Sequence, residues 1–82
     1  MTMFTTLPAT RRLNPVKLLL SKWTAVDPVN KEKHFIVTRL IAAQPPALEI
    51  EMVQLEAVYS GRSMLLPWRA LNDTDTWLQG WL

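Results

Sequence analysis

The order of hydrophobic and polar residues predicts short strands that are separated by turns. Trp23–Val26 is rich in residues that favour a pleated surface, and the Asp27-Pro28 pair ends this run as a turn would. His34–Ala42 is the clearest strand, because aromatic and β-branched residues follow one another without a helix breaker. Between them, the residues of Val29–Lys33 predict a polar loop.

The segment Leu48–Tyr59 fits two structures. As a helix, it would place Leu48, Met52, Leu55 and Tyr59 on one face. As a strand, its apolar positions change phase after Met52, as a β-bulge or a sharp bend would produce. A hairpin tip at Ser60-Gly61 favours the strand, because it would bring these apolar pairs onto one face: Ala57 with Met64, Leu55 with Leu66, and Val53 with Trp68. We therefore predict strands and keep the helix as the alternative.

Three further signals mark the ends of elements. Asn14-Pro15 is an N-cap residue followed by proline at the first helical position, and it predicts a short helix over residues 16–21. Pro67 predicts the end of a strand and a single helical turn from Trp68. Gly80 predicts a tight bend that brings Trp81 onto the core.

These elements predict a mainly β domain over residues 13–82, with residues 1–12 as a disordered N-terminal tail. The expected fold is a small bent antiparallel sheet or an SH3-like barrel of four or five strands, with a short N-terminal helix and a one-turn helix near Trp68. An α+β domain, with residues 48–59 helical, is the alternative.

Composition narrows the chemistry that such a domain could perform. A chain of 82 residues makes one small core, which leaves little room for a deep active site. The chain has no cysteine and one histidine, which excludes thiolate nucleophiles, cysteine-based zinc sites and histidine-rich metal sites. We therefore expect a protein that is not an enzyme and that has no cofactor and no metal site.

Apolar runs and the order of charges near the N-terminus indicate where in the cell the protein is located. No apolar run approaches the roughly 20 residues of a membrane span. Arg11 and Arg12 follow the apolar residues of the N-terminal segment, whereas a secretory signal has its charges first. We expect a cytoplasmic protein that does not bind membranes, with an organellar presequence over residues 1–12 as the weaker alternative.

The net charge of +2 hides an asymmetry between the two halves of the chain. Residues 1–39 contain seven lysines and arginines and two acidic residues, whereas residues 40–82 contain two arginines and five acidic residues. Folding could cancel this difference by mixing the halves, or it could build a basic face for phosphates or for an acidic partner.

Six stretches of the sequence together are similar to a known family. They are Leu13-Asn14-Pro15, Leu18–Val26, Lys31–Phe35, Glu56–Val58, Leu66–Leu71 and Trp77–Trp81. The chain resembles a small tryptophan-rich family of mostly bacterial proteins that is classed as a domain of unknown function. The resemblance covers about residues 13–81 and leaves out the first twelve residues and the Pro45-Pro46 loop. It implies no activity, substrate or site residue.

The four tryptophans and the basic residues are the candidate binding groups. Trp23 and Trp68 lie in strand-like runs and are expected in the core, whereas Trp77 and Trp81 could offer an aromatic platform. Because adjacent residues of a strand point to opposite faces, Lys22 is not expected to act with Trp23, nor Arg69 with Trp68. The candidate site consists of Trp77, Trp81, Lys22, Arg69, Lys31, Lys33, Arg11, Arg12 and Lys17.

Two functions fit these residues. The first is a non-enzymatic adaptor or accessory module that binds an unidentified protein partner. The second is a nucleic-acid-binding module that combines the basic N-terminal half with an exposed tryptophan. They predict different responses to salt, because phosphate binding weakens steeply with ionic strength and an aromatic-anchored protein interface does not.

Overall fold

The structure, a computed structural model, describes residues 13–82 and is mainly β. Its five antiparallel strands are β1 (Lys22–Val29), β2 (Glu32–Ala42), β3 (Ile50–Ala57), β4 (Ser63–Pro67) and β5 (Trp77–Gln79). They form one sheet in the order β4-β3-β2-β1-β5. The predicted antiparallel sheet is confirmed, and the predicted barrel is wrong. The first and last strands of this order lie at opposite edges and do not pair, so the sheet stays open.

The two helical predictions are confirmed as short 3-10 turns. Asn14 begins the first turn, Pro15–Lys17, and its side-chain oxygen accepts a hydrogen bond from the Val16 amide at 3.3 Å. The turn is shorter than the predicted helix because the chain leaves it to pack Leu18 into the core. The second turn, Trp68–Asn72, directly follows β4 and buries Leu71.

A tight hairpin joins β1 and β2 where the sequence predicts a longer polar loop. Asn30 and Lys31 both have left-handed backbones, with φ of 54° and 63°, and Val29 pairs with Glu32. Two consecutive left-handed residues are typical of the type I′ turn, whose twist matches the twist of paired strands. The missed signal is Asn30, a residue that tolerates this conformation without being glycine.

The ambiguous segment is the strand β3, so the helix alternative is wrong. It pairs with β2 and β4, and its pairing with β2 contains two irregularities. Ile50 pairs with Ala42 and Met52 pairs with Ile41, so one extra residue, Glu51, lies between them. This extra residue accounts for the change of apolar phase near Met52 that the sequence shows.

The hairpin of β3 and β4 has a register that differs by two residues from the predicted one. Leu55 pairs with Met64 and Val53 with Leu66, which moves the centre of the connecting loop one residue towards β3. Gly61, with φ of 76°, turns the chain, and its amide donates to the Ala57 carbonyl at 2.8 Å. A shift of two residues keeps every side chain on its predicted face, because strands alternate with a period of two.

The core lies on one face of the sheet. Its buried residues come from four strands and from the segments that flank them: Leu18, Trp23, Phe35, Val37, Val53, Leu55, Ala57, Leu71 and Trp77. Trp68 is half-buried and packs against this cluster. The strand residues that alternate with the core residues point to the other face, among them Lys22, His34 and the exposed Leu65.

Candidate functional site

A bend at Gly80 directs the chain back along β1 after the last strand. Gly80 has a φ of 84°, which favours glycine, and its amide donates to the Lys22 carbonyl at 2.7 Å. Thr24 holds both sides of the bend, because its hydroxyl donates to the Gly80 carbonyl at 2.6 Å and accepts from the Leu82 amide at 3.0 Å. The bend predicted at Gly80 is therefore confirmed, and it fixes the position of Trp81.

Trp81 lies outside the core, so of the two interpretations of this residue the exposed ring fits and the packing onto the core does not. Its ring lies 4.8 Å from the Lys22 ammonium and 5.9 Å from the His34 ring. Both neighbours alternate along their strands with the core residues Trp23 and Phe35, and they therefore lie on the other face. The Trp81 indole donates to the Phe35 carbonyl at 2.9 Å, yet 42% of the residue remains exposed. The ring is thus held in one orientation and remains accessible.

His34 contributes to the position of this segment. Its Nε2 donates to the main-chain oxygen of Leu82 at 2.9 Å, since a main-chain oxygen can only accept. Together with the indole bond of Trp81, this contact fixes residues 81–82 against β2.

Lys22 also lines a groove of about 570 Å³. The chain before β1, the start of β1 and the bend at Gly80 form its walls. Leu13, Leu18 and Leu20 give it an apolar lining, and Lys17 and Lys22 are its charged residues. Among residues 13–82, no acidic residue lines it. We call the groove, together with Trp81 and His34, the Lys22 surface.

Leu20 has an unusual backbone in this groove. Its φ is 66°, in the left-handed region that a bulky residue rarely adopts. Its amide donates to the Val37 carbonyl at 2.8 Å, and the next carbonyl, that of Ser21, accepts from the Val37 amide at 3.0 Å. These two bonds hold the left-handed residue against β2, while 64% of Leu20 stays exposed.

The structure brings together three of the residues predicted for the site, namely Lys17, Lys22 and Trp81. Trp77 lies elsewhere: it is only 6% exposed and packs edge-to-face on Phe35, with ring centroids 5.1 Å apart. A stacking ligand needs an open ring face, which a buried tryptophan does not offer.

The other predicted basic residues lie in different places. Arg69 stacks on Trp68 at 4.8 Å, although a strand would have separated them, because both belong to the 3-10 turn. Lys31 lies at the β1–β2 turn, with its ammonium 5.9 Å from the Tyr59 ring, and Lys33 is exposed on β2. Arg11 and Arg12 lie outside the described residues.

A second cavity, of about 370 Å³, contains residues that the sequence did not place in a pocket. Glu49 and Glu51 line it together with Trp68 and Arg69. It is smaller than the groove at Lys22, and its two carboxylates and one guanidinium make its charge mixed.

An ion pair between Glu32 and Arg62 is the main polar interaction that sequence reasoning missed. Glu32 is 3% exposed, and Arg62 donates to both of its oxygens, at 2.6 Å and 2.9 Å. Ser60 donates to the same carboxylate at 2.5 Å. The bonds from Arg62 and Ser60 lower the pKa of Glu32 to about 2. This contact ties the start of β2 to the β3–β4 loop.

Residues 13–82 contain neither a cluster of metal-binding side chains nor a membrane-spanning helix. In this part of the chain, no three histidine or acidic side chains lie close enough together to hold a metal ion. None of its helical segments has the length and apolar character to cross a membrane.

Comparison with known families identifies the chain. Residues 21–82 match the tryptophan-rich protein family DUF2389. The chain therefore belongs to this family, which confirms the resemblance seen in the sequence. No curated protein and no solved structure matches the chain.

Proposed function

We propose that this chain is a non-enzymatic module that binds another protein through the Lys22 surface. The observation that carries this proposal is a pair of exposed apolar side chains near Lys22: Leu20 lines the same groove, and the Trp81 ring lies 4.8 Å from the Lys22 ammonium. The Leu20 amide donates to the Val37 carbonyl at 2.8 Å, and the Trp81 indole donates to the Phe35 carbonyl at 2.9 Å. Neither residue belongs to the buried core.

The chemistry of these residues supports contact with a protein. Tryptophan is enriched at the energetic centres of protein interfaces, and charged side chains such as lysine belong to the polar rim around them. A surface that is already ordered loses less conformational entropy on binding than a mobile one. On the Lys22 surface, bonds to β2 fix the Trp81 indole and the backbone that carries Leu20.

The same residues offer little for catalysis. Two lysines, an indole and leucine side chains provide contact and charge, without the paired nucleophile and base that group transfer uses. The Nε2 of His34 already donates to Leu82. For these reasons the proposal includes no chemical step.

A second candidate function is binding of single-stranded nucleic acid. The observation that favours it is the Lys22 ammonium 4.8 Å from the exposed Trp81 ring, since such sites combine stacking rings with cations. This candidate requires that the binding affinity falls steeply as the salt concentration rises, because each phosphate contact releases counterions.

The proposal is tested by capture of binding partners from native lysate with the full-length tagged chain. The capture is repeated after nuclease treatment and at two salt concentrations, with Trp81→Ala as the comparison. Proteins that are retained after nuclease by the wild-type chain, and lost with Trp81→Ala, support the protein-binding module. Retention that collapses with nuclease or at higher salt supports nucleic-acid binding instead.

A further inference from the structure

We infer that the groove beside Lys22 holds a short segment of the partner that carries both acidic and apolar side chains. This inference rests on the proposed protein-binding function and specifies its site and its partner. The apolar side chains would contact Leu13, Leu18 and Leu20, and one or two carboxylates would pair with Lys17 and Lys22.

Charge complementarity is the first argument for this occupant. The residues that line the groove include two ammonium groups and no carboxylate. Glu49 and Glu51 line the second cavity instead. A ligand with negative charge therefore meets attraction at the groove, and a positively charged ligand meets repulsion from both lysines.

The backbone of Leu20 is the second argument. A left-handed conformation is unfavourable for leucine, and glycine or asparagine would adopt it more readily. The leucine side chain gains little from the fold in return, because most of its surface remains exposed to solvent. Strained residues of this kind are common at binding sites. Contact with a ligand explains why an apolar side chain is held at this position.

The lining also distinguishes between classes of ligand. A nucleic-acid strand needs several cations along its backbone and flat rings for its bases. The groove instead offers two cations and three leucines, and its one aromatic lining residue, Trp23, is buried. A small molecule is usually enclosed over most of its surface, whereas Lys17 and Leu20 leave this groove open to solvent. An extended peptide segment fits both properties.

The first experiment uses labelled peptides and the full-length chain. Fluorescence anisotropy measures binding of the peptide Leu-Asp-Phe-Glu-Leu, of its basic counterpart Leu-Lys-Phe-Lys-Leu, and of the acidic but polar Ser-Asp-Ser-Glu-Ser. An oligothymidine of ten nucleotides is the nucleic-acid probe. We expect the acidic apolar peptide to bind about tenfold or more tightly than each of the other three. Equal binding of the two acidic peptides, or tighter binding of the basic peptide or of the oligonucleotide, would overturn the inference.

Substitutions then locate the site. Lys22→Gln and Lys17→Gln should each weaken binding of the acidic apolar peptide about three- to fivefold. Arg39→Gln removes one charge from an exposed position on β2 that does not line the groove, and it should leave the affinity unchanged. Equal losses in all three variants would show that only net charge matters, which contradicts the inference.

The variant Leu20→Asn distinguishes a loss of binding from a loss of stability. Asparagine tolerates the left-handed backbone, so the melting temperature should stay the same or rise. The affinity for the acidic apolar peptide should nevertheless fall about tenfold, because the exposed leucine contact is lost. A variant that keeps full affinity would contradict the role of Leu20, whatever its stability.

The capture and peptide experiments together distinguish failure of this inference from failure of the proposed function on which it rests. If a partner captured from lysate is retained by both Lys22→Gln and Leu20→Asn, the chain binds proteins and the groove is not the site. If the peptide binds as expected and no protein survives nuclease treatment, the groove has the stated chemistry and the protein-binding function fails.

Discussion

Trp77 and Trp81 are close in sequence and contact the same residue of β2, yet their environments are opposite. Trp77 packs its ring against the Phe35 ring on the core face of the sheet. Trp81 donates its indole proton to the Phe35 carbonyl and lies beside Lys22 and His34, outside the core. The bend at Gly80 separates the two. The abundance of tryptophan in this family therefore does not identify a binding surface, because position on the sheet decides what each ring does.

The largest expected effect comes from removing a core tryptophan. Trp23 is among the largest fully buried side chains, so Trp23→Ala leaves a cavity and should lower the free energy of unfolding by about 3–5 kcal/mol. Small domains have about 5–15 kcal/mol in total, so this loss would leave the chain partly or wholly unfolded. Urea unfolding followed by circular dichroism measures the effect. A folded variant of unchanged stability would contradict the assignment of Trp23 to the core.

Trp81→Ala should have a smaller effect on the fold. It removes one hydrogen bond and one cation–π contact at a partly exposed site, together worth about 1–2 kcal/mol. The chain should remain folded and lose its partner, as measured by unfolding and capture in parallel. Trp81→Phe keeps a ring without the N–H donor and should retain part of the binding. Unfolding of Trp81→Ala would mean that this segment serves the core after all.

The ion pair of Glu32 should affect stability only in a defined range of pH. The pKa of this carboxyl falls from 4.5 to about 2 on folding, so its ionised form stabilises the folded state above about pH 4.5. This contribution is lost as the pH falls from 4.5 through about 2. Glu32→Gln should lower the melting temperature near neutral pH and flatten its decline in acid. Arg62→Gln should do the same, and binding of the acidic apolar peptide should be unchanged in both.

The smallest expected effect is that of removing residues 1–12. The buried cluster is built from residues 18–77, so this deletion should change the melting temperature by no more than about 2–4 °C. Deleting residues 1–18 is the control, because it also removes the buried Leu18 and should lower the melting temperature clearly. A large drop for the shorter deletion would show that the first twelve residues stabilise the domain.

Much of the sheet could be predicted from local patterns. Alternating apolar residues and the bend at Gly80 identified the strands and the return of the chain, and the phase change near Met52 indicated the extra residue in β3. Closure of the sheet could not be predicted, because it depends on pairing between strands that are distant in sequence. The register of the second hairpin was missed because the Ser60-Gly61 signal does not fix the centre of the loop, which lies one residue earlier.

The candidate site was only partly visible in the sequence. Lys17, Lys22 and Trp81 were among the predicted residues, but their neighbours in sequence gave no sign that they meet. Lys22 and Trp81 come together across β1 and the Gly80 bend, 59 positions apart in the chain. Leu20 was missed because a positive φ at leucine has no local signature. Glu32 was missed because its neighbours Lys31 and Lys33 suggest a solvated loop.

The most direct test of the central claim compares two variants in the same capture experiment. Nuclease-treated lysate is passed over the wild-type chain, Lys22→Gln and Arg39→Gln, each shown by circular dichroism to be folded. If the Lys22 surface is the binding site, Arg39→Gln retains the partner of the wild-type chain and Lys22→Gln loses most of it. Equal retention by the two variants, or no retained protein with the wild-type chain, would contradict the claim.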